Sequence, residues 1–510
     1  MNPPRADTAQ DRALLISVTC MMIAAFMQFL DTSVVYVTLP YMRGSLSAAS
    51  DQITWVATSY IIATAVFLPL MGHLSNRYGH KAVFLVCVAV FTLASVCCGA
   101  ARSLEQIVLF RILQGGSGAG IIPTILSVIV ASYEGRERAR MMAIYGALSM
   151  LGPIAGPLVG GYLTEYLSWR WVFWINAPLG LLVIAVVNVL YHGRPDHARD
   201  RRFDVFGTVI LGLTMGLIQL ILDRGNSRDW FDSTEIMVET LLAGVGMYVF
   251  IVHMATAAVC VVPVEVMRNR LFMLSSFIST LGLALQVATI TLIPPFLQSL
   301  GNYSVLQVGL TFVPRGLGAI SSALVGVRLM SRVDGRTLLL VGWAFSAWSL
   351  WDMAHWTPEV DALRISLAFA ANGFGLSIIT MNCNVLAFAS LRRTLVNEAS
   401  AIYALIRSAG SAALIAITVS VLVDQSQRMH AAIAATLSAR RFAENHFVRD
   451  LLRSLHSPSS AALLDRLVNR NAQIVSYADS YLFLFAVGCL VPIAVLMLGR
   501  PHASEQRVTP

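Results

Sequence analysis

The chain has little charge for its length. Only 13% of its 510 residues are Asp, Glu, Lys or Arg, whereas 56% are apolar, and a soluble domain carries about 25% charged residues. A water-soluble protein of this size would have no place for so much apolar area. A polytopic membrane protein exposes that area to lipid. The composition therefore excludes soluble enzymes, disordered proteins and secreted disulfide scaffolds.

Motifs for cofactors and catalysis are also missing. The seven cysteines lie in apolar stretches with no CxxC or Cys/His spacing, so neither a zinc site nor a disulfide framework is indicated. No GxxxxGK[ST] loop, HExxH helix or GxSxG elbow occurs. We therefore expect no metal, no cofactor and no enzymatic activity. Any work across the membrane must be driven by an ion gradient or by the substrate's own gradient.

Fourteen apolar runs follow one another along the chain, and a bilayer-spanning helix needs about 20 such residues. The first run follows Arg5 and Arg12, as a signal peptide would. It continues past the length of a signal sequence without a cleavage pattern, so we interpret it as an uncleaved span. The predicted spans are residues 13–39, 52–72, 82–101, 105–130, 139–163, 170–191, 205–222, 236–260, 271–298, 305–327, 337–355, 363–388, 398–424 and 478–498.

The distribution of basic residues predicts the orientation of these spans. With the N-terminus in the cytoplasm, the inner segments hold 20 of the 36 basic residues and the short outer loops hold six. Seven more lie in one long outer segment, to which the positive-inside rule does not apply. Both termini are therefore predicted to be cytoplasmic, and the net charge of +8 is an orientation signal rather than a nucleic-acid surface.

The long outer segment, residues 425–477, is rich in Ala, Leu and Arg. Its apolar residues recur at helical spacing on both sides of Pro458, which interrupts the pattern. We predict a pair of short amphipathic helices on the outer face. The sequence leaves open whether they are a connector or a docking surface. The residues that carry the pattern are Phe442, Phe447, Leu451, Leu452, Leu455, Leu463, Leu464 and Leu467.

The inner loop after the second span reads GHLSNRYGHK over residues 72–81. It resembles motif A of the major facilitator superfamily, G-x-L-x-D-R-x-G-R-[KR]. Glycines there allow a tight turn, and basic residues hold the loop at the cytoplasmic surface. Residues 326–336 are a degraded echo, as two tandem halves would leave. The matching positions, implied by the resemblance to gate the transporter, are Gly72, Asn76, Arg77, Gly79 and Lys81.

Further motifs are similar to those of the fourteen-span drug:proton antiporters of the EmrB/QacA type. Residues 30–40 (LDTSVVYVTLP) resemble their LDxTIVNVALP signature, residues 111–120 their motif B, and residues 152–161 (GPIAGPLVGG) their antiporter motif C. Two later elements, at 169–180 and 222–231, complete the resemblance, which covers nearly the whole chain. The last element and the long outer segment point to the EmrB branch.

Two positions depart from the family pattern. Asn76 replaces the Asp of motif A, so a charge pair thought to latch the cytoplasmic side is expected to be weaker here. Tyr36 stands where the family usually has Asn, which puts a polar role at that position in doubt.

Two opposite charges are predicted to lie inside the bilayer at similar depth. Asp31 is roughly 12 Å below the outer end of the first span, and Arg111 roughly 9 Å below the start of the fourth. A charge in hydrocarbon is costly and normally has a partner and a function. We hypothesise that the two interact, with Asp31 as the protonatable coupling carboxylate and Arg111 controlling its protonation. A fixed structural ion pair is the alternative.

Motif C has a regular glycine pattern. Gly152, Gly156 and Gly160 recur every four residues and make a smooth stripe for close helix packing. Pro153 and Pro157 remove two backbone donors and bend the helix. The functional interpretation is a hinge and seal between halves that favours exchange over uniport, and ordinary helix packing is the alternative.

Two further arginines, Arg315 and Arg407, are also predicted to be intramembrane. With Arg111 they outnumber the one clear interior acid, which favours a substrate cavity for neutral or anionic amphiphiles. Arg315 could instead snorkel or pair with a polar neighbour. The other polar candidates for the cavity, for which helix-packing contacts are the alternative role, are Gln286, Asn372, Asn382 and Asn384.

The sequence thus predicts an all-α membrane protein with fourteen transmembrane helices. The resemblance implies the major facilitator fold, with an N-terminal six-helix bundle (1–200), two inserted helices (201–264) and a C-terminal six-helix bundle (265–510) that includes the outer segment. It implies no cofactor, with the proton gradient as energy source.

The resemblance further implies a proton-coupled multidrug efflux antiporter that exports amphipathic toxic compounds. An EmrB-like protein would lie in the bacterial inner membrane and meet a periplasmic adaptor and an outer-membrane channel. The alternatives are a dedicated exporter of one metabolite or weak acid, and a membrane sensor or assembly protein that has lost transport, which Asn76 slightly favours. An intramembrane enzyme is the weakest alternative, because no catalytic constellation occurs.

Overall fold

Every regular element in the described part of the chain is a helix. The computed structural model describes residues 8–48, 52–191, 204–257, 262–329, 332–389, 391–392, 395–436 and 458–498. Two 3₁₀ turns, at Asn226–Arg228 and Trp230–Asp232, join α9 to α10. In chain order the described α-helices are α1 (Thr8–Ser45), α2 (Trp55–Tyr78), α3 (His80–Ala100), α4 (Leu104–Gly118), α5 (Ile121–Ser132), α6 (Gly135–Tyr166), α7 (Trp171–Trp174), α8 (Asn176–Leu190), α9 (Val205–Arg224), α10 (Thr234–Thr256), α11 (Val264–Arg268), α12 (Arg270–Ser299), α13 (Val305–Thr311), α14 (Val313–Leu329), α15 (Gly335–Met353), α16 (Ala362–Ala389), α17 (Val396–Thr436), α18 (Pro458–Gly488) and α19 (Leu490–Met497).

Thirteen helical stretches among the described residues are long and apolar enough to cross a membrane. Each coincides with one of the predicted spans. The remaining predicted span, 337–355, forms α15, a helix of 19 residues with Arg336 and Asp352 near its two ends. Helix α15 packs against α16 and α18, so it belongs to the same bundle. The prediction of an all-α, multi-pass membrane protein is confirmed.

Helices α1 to α8 pack around one another. Helix α1 lies against α6 and α8, α2 lies against α4, and α3 contacts both α4 and α8. Buried apolar side chains fill the space between them, among them Phe84 and Ile125 near one end and Val34 and Phe173 near the other. This arrangement brings the middle of α1, α4 and α8 side by side.

Helices α12 to α19 form a second group. Helix α12 contacts α16 and α17, α14 and α15 both pack on α16, and α17 packs along α18. Their buried core includes Phe296, Phe312, Phe369 and Leu484. Within a bilayer, helix association depends on van der Waals fit rather than on removing apolar surface from water. The close approach of these helices is therefore what holds the group together.

The two groups of helices contact each other along α6 and α17. Helix α6 meets α13, α14 and α16, and α17 meets α2 and α5. A continuous buried cluster crosses between the groups and contains Tyr145, Phe272 and Tyr403. Beside it, the hydroxyl oxygens of Ser127 and Ser400 share a buried hydrogen bond of 2.7 Å. The groups are thus closed against each other at the end that the charge pattern predicts to be cytoplasmic.

Helices α9 and α10 form a hairpin beside α2. Helix α9 packs on α2, where Gly212 abuts the carbonyl group of Val66, and α10 packs mainly on α9. At the turn of the hairpin, Trp230 Nε1 donates a hydrogen bond of 3.1 Å to Ser420 Oγ of α17. The hairpin therefore contacts both groups of helices.

The predicted pair of separate short helices in the outer segment is wrong for its described parts. Helix α17 has 41 residues, about 60 Å at 1.5 Å per residue, twice the roughly 30 Å of a bilayer core. It runs through residue 425 without a break, and Pro458 begins α18 rather than interrupting a helix. The two spans thus continue as long helices beyond their predicted ends, because no residue between 425 and 436 stops α17. Five residues of the predicted pattern, Phe442, Phe447, Leu451, Leu452 and Leu455, lie outside the described residues.

Candidate functional site

The two opposite charges predicted inside the bilayer form a direct ion pair. Asp31 lies in the middle of α1 and Arg111 in α4, and both side chains are 1% exposed. Arg111 Nη1 donates a hydrogen bond of 2.6 Å to Asp31 Oδ2. Burial strengthens such a charge-assisted bond because no water competes for the carboxylate.

Two amides complete the coordination of the Asp31 carboxylate. Gln114 Nε2 and Asn176 Nδ2 donate to Asp31 Oδ1 at 3.0 and 2.8 Å. Asn176 Nδ2 also donates to Ser95 Oγ at 2.9 Å, and Ser95 in turn donates to the carbonyl oxygen of Phe173. The carboxylate therefore accepts from three side chains on two other helices, α4 and α8, and is tied to α3 through Ser95.

The guanidinium group of Arg111 has partners beyond Asp31. Its Nη1 also donates to Gln114 Oε1 at 2.8 Å, and its Nε donates to the carbonyl oxygen of Val56 in α2 at 2.9 Å. The Tyr60 ring lies 4.2 Å below its Cζ atom, a distance at which a cation–π interaction stabilises the charge. We call these interacting residues the Asp31 network, which connects α1, α2, α3, α4 and α8 through Asp31, Tyr60, Ser95, Arg111, Gln114 and Asn176. A change in the charge of Asp31 would act on all five helices.

Gln114 and Asn176 were not predicted as site residues. Both lie in elements that resemble family motifs, at 111–120 and 169–180. An amide in an apolar helix is ambiguous from sequence, because it also serves as packing glue. Two features of the sequence could have identified them. Both residues lie in motifs that were already matched, and pairing with Arg111 leaves one carboxylate oxygen of Asp31 in need of a donor.

The glycine stripe of motif C packs against α1 within the first group of helices. A side chain at Gly152 would overlap Phe29, one at Gly156 would overlap Ser33, and one at Gly160 would press on Val34. The stripe itself is therefore not a seal between halves, which corrects that part of the prediction. Contacts to the second group come from other positions of α6, where Gly146 lies beside Met381.

Pro157 leaves a carbonyl group of α6 without its helical donor. In a regular helix the amide of residue 157 would donate to the carbonyl oxygen of Pro153, but proline has no N–H. Ser33 Oγ of α1 donates to that oxygen at 3.0 Å. Since Ser33 is two residues from Asp31, the proline pattern of motif C creates a specific bond to the helix that carries the buried carboxylate.

The motif A loop is a tight turn between α2 and α3. Gly79 has φ +83°, a left-handed conformation that favours glycine. Its amide donates to the carbonyl oxygen of Ser75, and Lys81 Nζ donates to that of Asn188 at 2.7 Å. The loop is thereby tied to the end of α8. Arg77 stacks near Tyr78, and the side chain of Asn76 lies outside the described residues.

The four predicted cavity residues do not form one cluster. Arg407 of α17 lies between the two groups of helices, with its Cζ atom 5.4 Å from the Tyr403 ring and its guanidinium beside the Tyr145 hydroxyl of α6. Arg315 and Gln286 instead meet inside the second group, where Arg315 Nη2 donates to the Gln286 carbonyl oxygen at 3.4 Å.

The three asparagines differ in their surroundings. Asn372 is buried in α16, and within the described residues neither of its amide atoms has a hydrogen-bond partner. Asn382 Nδ2 donates to its own helix, at the carbonyl oxygen of Ile378. Asn384 Oδ1 accepts from the Tyr403 hydroxyl at 2.6 Å, which joins α16 to α17. Asn382 and Asn384 thus make structural contacts.

The other departure from the family pattern, Tyr36, lies close enough to Arg111 for that charge to act on it. Its side chain is 51% exposed, and no hydrogen bond from it to the network occurs in the described part of the chain. It lies close enough to Asp223 for that charge to act on it. Asp223 ends α9 and accepts a hydrogen bond from Thr58 of α2, so the element at 222–231 attaches the hairpin to α2.

A model of the Major Facilitator Superfamily matches residues 21–414 of the chain. Among curated proteins, the Multidrug export protein EmrB of Haemophilus influenzae is 26% identical over 499 residues, covering 98% of both chains. The Multidrug export protein EmrB of Escherichia coli strain K12 is 28% identical and covers 83% of both. The Fatty acid resistance protein FarB of Neisseria gonorrhoeae is 32% identical over 66% of this chain and 67% of its own.

Solved structures share the fold. The human organic anion transporter MFSD10 (TETRAN) aligns with a TM-score of 0.59 at 13% identity, over 96% of this chain and 100% of that one. The proton:xylose symporter XylE aligns with a TM-score of 0.56 at 12% identity, over 96% of both chains. At these identities the similarity shows a common helical architecture.

Proposed function

The chain belongs to the major facilitator superfamily, and we propose that it is a proton-coupled antiporter that exports amphipathic toxic compounds by alternating access. The observation that carries this proposal is the buried Asp31 carboxylate, held by Arg111, Gln114 and Asn176. An ionisable group inside a membrane is energetically costly unless it has a partner, and such groups commonly take part in proton relays. Here the partner is present.

Protonation of Asp31 provides the coupling step. With Asp31 ionised, the charges of Asp31 and Arg111 cancel in a water-excluded site. When Asp31 takes up a proton, the ion pair is lost and the Arg111 charge has no counter-ion. Because the Asp31 network connects five helices, loss of the ion pair changes the relative populations of the conformations that these helices adopt. Substrate release and proton uptake can then favour the same conformation.

The segment of α1 around Asp31 also provides a route to the second half of the molecule. Phe29, Ser33 and Val34 pack directly on the motif C stripe of α6. Helix α6 in turn contacts α13, α14 and α16. A movement of α1 on protonation is therefore transmitted to the surface along which the two halves meet.

The relatives support a broad rather than a single substrate. Proteins named for multidrug export, for fatty acid resistance and for colistin resistance are all similar to this chain over most of its length. One of these relatives, FarB, is named for a single class of weak acid, but the chain is similar over a greater length to relatives named for multidrug export, which favours a broad substrate range over a dedicated exporter of one metabolite or weak acid. We propose a range of amphiphiles as substrates.

We further propose a bacterial inner-membrane location with both termini in the cytoplasm, as the arginine distribution predicts. The outward continuations of α17 and α18 are joined by a hydrogen bond of 3.2 Å between His430 Nε2 and Asp465 Oδ1. Their projection beyond the membrane supports docking of a periplasmic adaptor, and through it an outer-membrane channel, rather than a mere connector.

Transport in proteoliposomes tests the proposal. The probes are dodecanoate, dodecyltrimethylammonium and the neutral N-phenyl-1-naphthylamine, each added to vesicles that contain a pH-sensitive dye. We expect wild-type protein to transport protons in the direction opposite to at least one probe. Asp31→Asn should reduce that proton transport to background. The matched control is Asp352→Asn, which removes a carboxylate that pairs with the half-exposed Arg364.

Two results would contradict the proposal. If no probe moves protons through the wild-type protein, a sensor or assembly role is the better description. If Asp31→Asn couples as well as the wild type, the ion pair is structural and the coupling site lies elsewhere.

A further inference from the structure

The interior of the second half contains a buried cation without an acidic partner. Arg315 of α14 is fully buried. In the described part of the chain its one hydrogen bond is the long 3.4 Å contact to the Gln286 carbonyl oxygen, and its Nε and Nη1 atoms have no acceptor. An unpaired buried charge costs several kcal/mol in effective desolvation. Such a residue indicates a ligand that supplies the missing charge.

Three more buried donors lie on neighbouring helices without acceptors. They are the amide nitrogens of Gln286 on α12 and Asn372 on α16, and the hydroxyl of Tyr481 on α18. Tyr481 is close enough to Arg315 to interact with its charge, and Gly373, next to Asn372, abuts the Arg315 backbone. We call these four side chains the Arg315 cluster. Five of its donor atoms have no acceptor.

The Arg315 cluster corresponds to the Asp31 network of the first half by helix order. Its residues lie on the first, second, fourth and sixth spans of the second half. Asp31, Tyr60, Arg111 and Asn176 occupy the same spans of the first half. The first span carries an acid in one half and the neutral Gln286 in the other. The second half therefore has the donors of such a network but lacks its carboxylate.

The simpler explanations for Arg315 do not fit the structure. A snorkelling arginine would place its guanidinium at the membrane surface, whereas Arg315 is 0% exposed. The nearest acid along α18, Asp479, is only partly buried and forms no ion pair with Arg315 within the described residues. Among the described residues, no carboxylate neutralises this charge, and solvent does not reach it.

We propose that the Arg315 cluster binds the carboxylate head of an anionic amphiphile during transport. This inference rests on the proposed function and specifies a substrate class for it. A carboxylate presents only acceptors, and five of the six unpaired polar atoms of the cluster are donors, while the two oxygens of a carboxylate fit the fork of a guanidinium group. The bound carboxylate then has the same role in the second half that Asp31 has in the first half. It neutralises the charge of the Arg315 cluster.

Equilibrium dialysis of radiolabelled dodecanoate against the purified full-length protein tests the site directly. We expect wild-type protein to bind dodecanoate and Arg315→Gln to bind it at least about tenfold more weakly, a loss of roughly 1.4 kcal/mol. Arg315→Lys, which keeps the charge, should restore part of the affinity. The matched control, Arg364→Gln, removes a half-exposed arginine at the outer end of α16 and should bind like the wild type.

Tyr481→Phe provides a second variant if Arg315→Gln does not fold. It removes one donor and keeps the ring, and we expect several-fold weaker dodecanoate binding. Export of dodecyltrimethylammonium, which has the same chain length and the opposite charge, should fall much less than export of dodecanoate in both variants. An equal loss of export for both probes in a monodisperse variant would mean that the cluster is structural, and the inference would be wrong.

Three other outcomes would also overturn the inference. Wild-type protein that exports dodecyltrimethylammonium but does not bind dodecanoate would leave the proposed function intact and remove this site from it. Equal dodecanoate affinity in the wild type and Arg315→Gln would have the same meaning. If Arg315→Gln changes only how much the dodecanoate affinity differs between chloride and gluconate buffers, the cluster binds an inorganic anion and not the head group of a substrate.

Discussion

At the scale of single residues, Asp31 shows how a charge is retained inside an apolar bundle. Its side chain is 1% exposed, and its carboxylate accepts hydrogen bonds from Arg111, Gln114 and Asn176. Hydrogen bonds to an ionised group contribute about 1.5–3 kcal/mol each. Together they offset the loss of hydration, and each donor influences the coupling that we propose for Asp31.

Asn176→Ala tests that influence. The substitution removes one of the three donors to the Asp31 carboxylate and breaks its connection to Ser95 of α3. We expect proton-coupled transport at pH 7 to fall by about tenfold or more, because a hydrogen bond to an ionised group contributes about 1.5–3 kcal/mol and 1.4 kcal/mol corresponds to a factor of ten. The measurement is the transport rate as a function of pH in proteoliposomes.

The control for this prediction lies on the same helix. Asn188 ends α8 with an exposed side chain, and Asn188→Ala leaves intact the backbone oxygen that accepts from Lys81. It should transport like the wild type at every pH. An unchanged transport rate for Asn176→Ala would show that its hydrogen bond to Asp31 does not affect coupling.

At the scale of helices, the contact between α1 and α6 depends on the absence of side chains. The glycines of motif C let α6 approach Phe29, Ser33 and Val34 of α1 closely. In lipid, where close packing holds helices together, such an approach stabilises the pair. The bond from Ser33 to the carbonyl oxygen of Pro153 fixes their register.

Gly156→Ala is expected to separate α1 from α6. The added methyl group would overlap the side chain and backbone of Ser33, and overpacking of this kind costs about 1–3 kcal/mol. Because α1 carries Asp31, we expect both a lower thermal unfolding temperature in detergent and slower proton-coupled transport. Thermal unfolding and the proteoliposome assay measure the two effects.

Gly244→Ala is the matched control for this change. A methyl group at Gly244 of α10 would meet no atom within 4 Å, and replacing glycine by alanine in a helix is favourable by up to about 1 kcal/mol. The control should therefore be as stable as the wild type or more so. If Gly156→Ala behaves in the same way, close packing on α1 is not what motif C provides.

At the scale of the whole molecule, the structure shows one state of a protein with two halves. The halves meet at the predicted cytoplasmic end through a buried apolar cluster and through the bond between Ser127 and Ser400. Alternating access requires that these contacts separate when the site opens to the cytoplasm. The pair is therefore a direct indicator of the closed state.

A disulfide across this pair should stop transport. Ser127 and Ser400 lie on α5 and α17 with their hydroxyl oxygens 2.7 Å apart, close enough for a disulfide after modest adjustment. We expect the double variant Ser127→Cys with Ser400→Cys to lose transport when oxidised and to recover it when reduced. The two single variants, treated with the same oxidant, are the controls. Undiminished transport by fully cross-linked protein would show that this end does not open.

The sequence by itself determined the membrane class, the positions of the spans and the pairing of Asp31 with Arg111. Hydropathy is summed over consecutive residues, so a span is recognisable without any knowledge of its neighbours. The ion pair was predictable because two lone opposite charges at similar depth have few other ways to be satisfied. The prediction failed where it needed a helix end, since α17 continues past residue 425 with nothing in its local sequence to stop it.

Only the tertiary structure decided which polar residues share a site. The rotation of each helix placed Gln114 and Asn176 on Asp31, turned the motif C glycines toward α1, and put Arg407 between the halves while Arg315 became buried within one of them. Rotation depends on packing between residues distant in sequence, and hydropathy, which is high on every face of these helices, does not encode it. The sequence therefore shows that buried charges exist, and the packing of the helices decides which of them have partners.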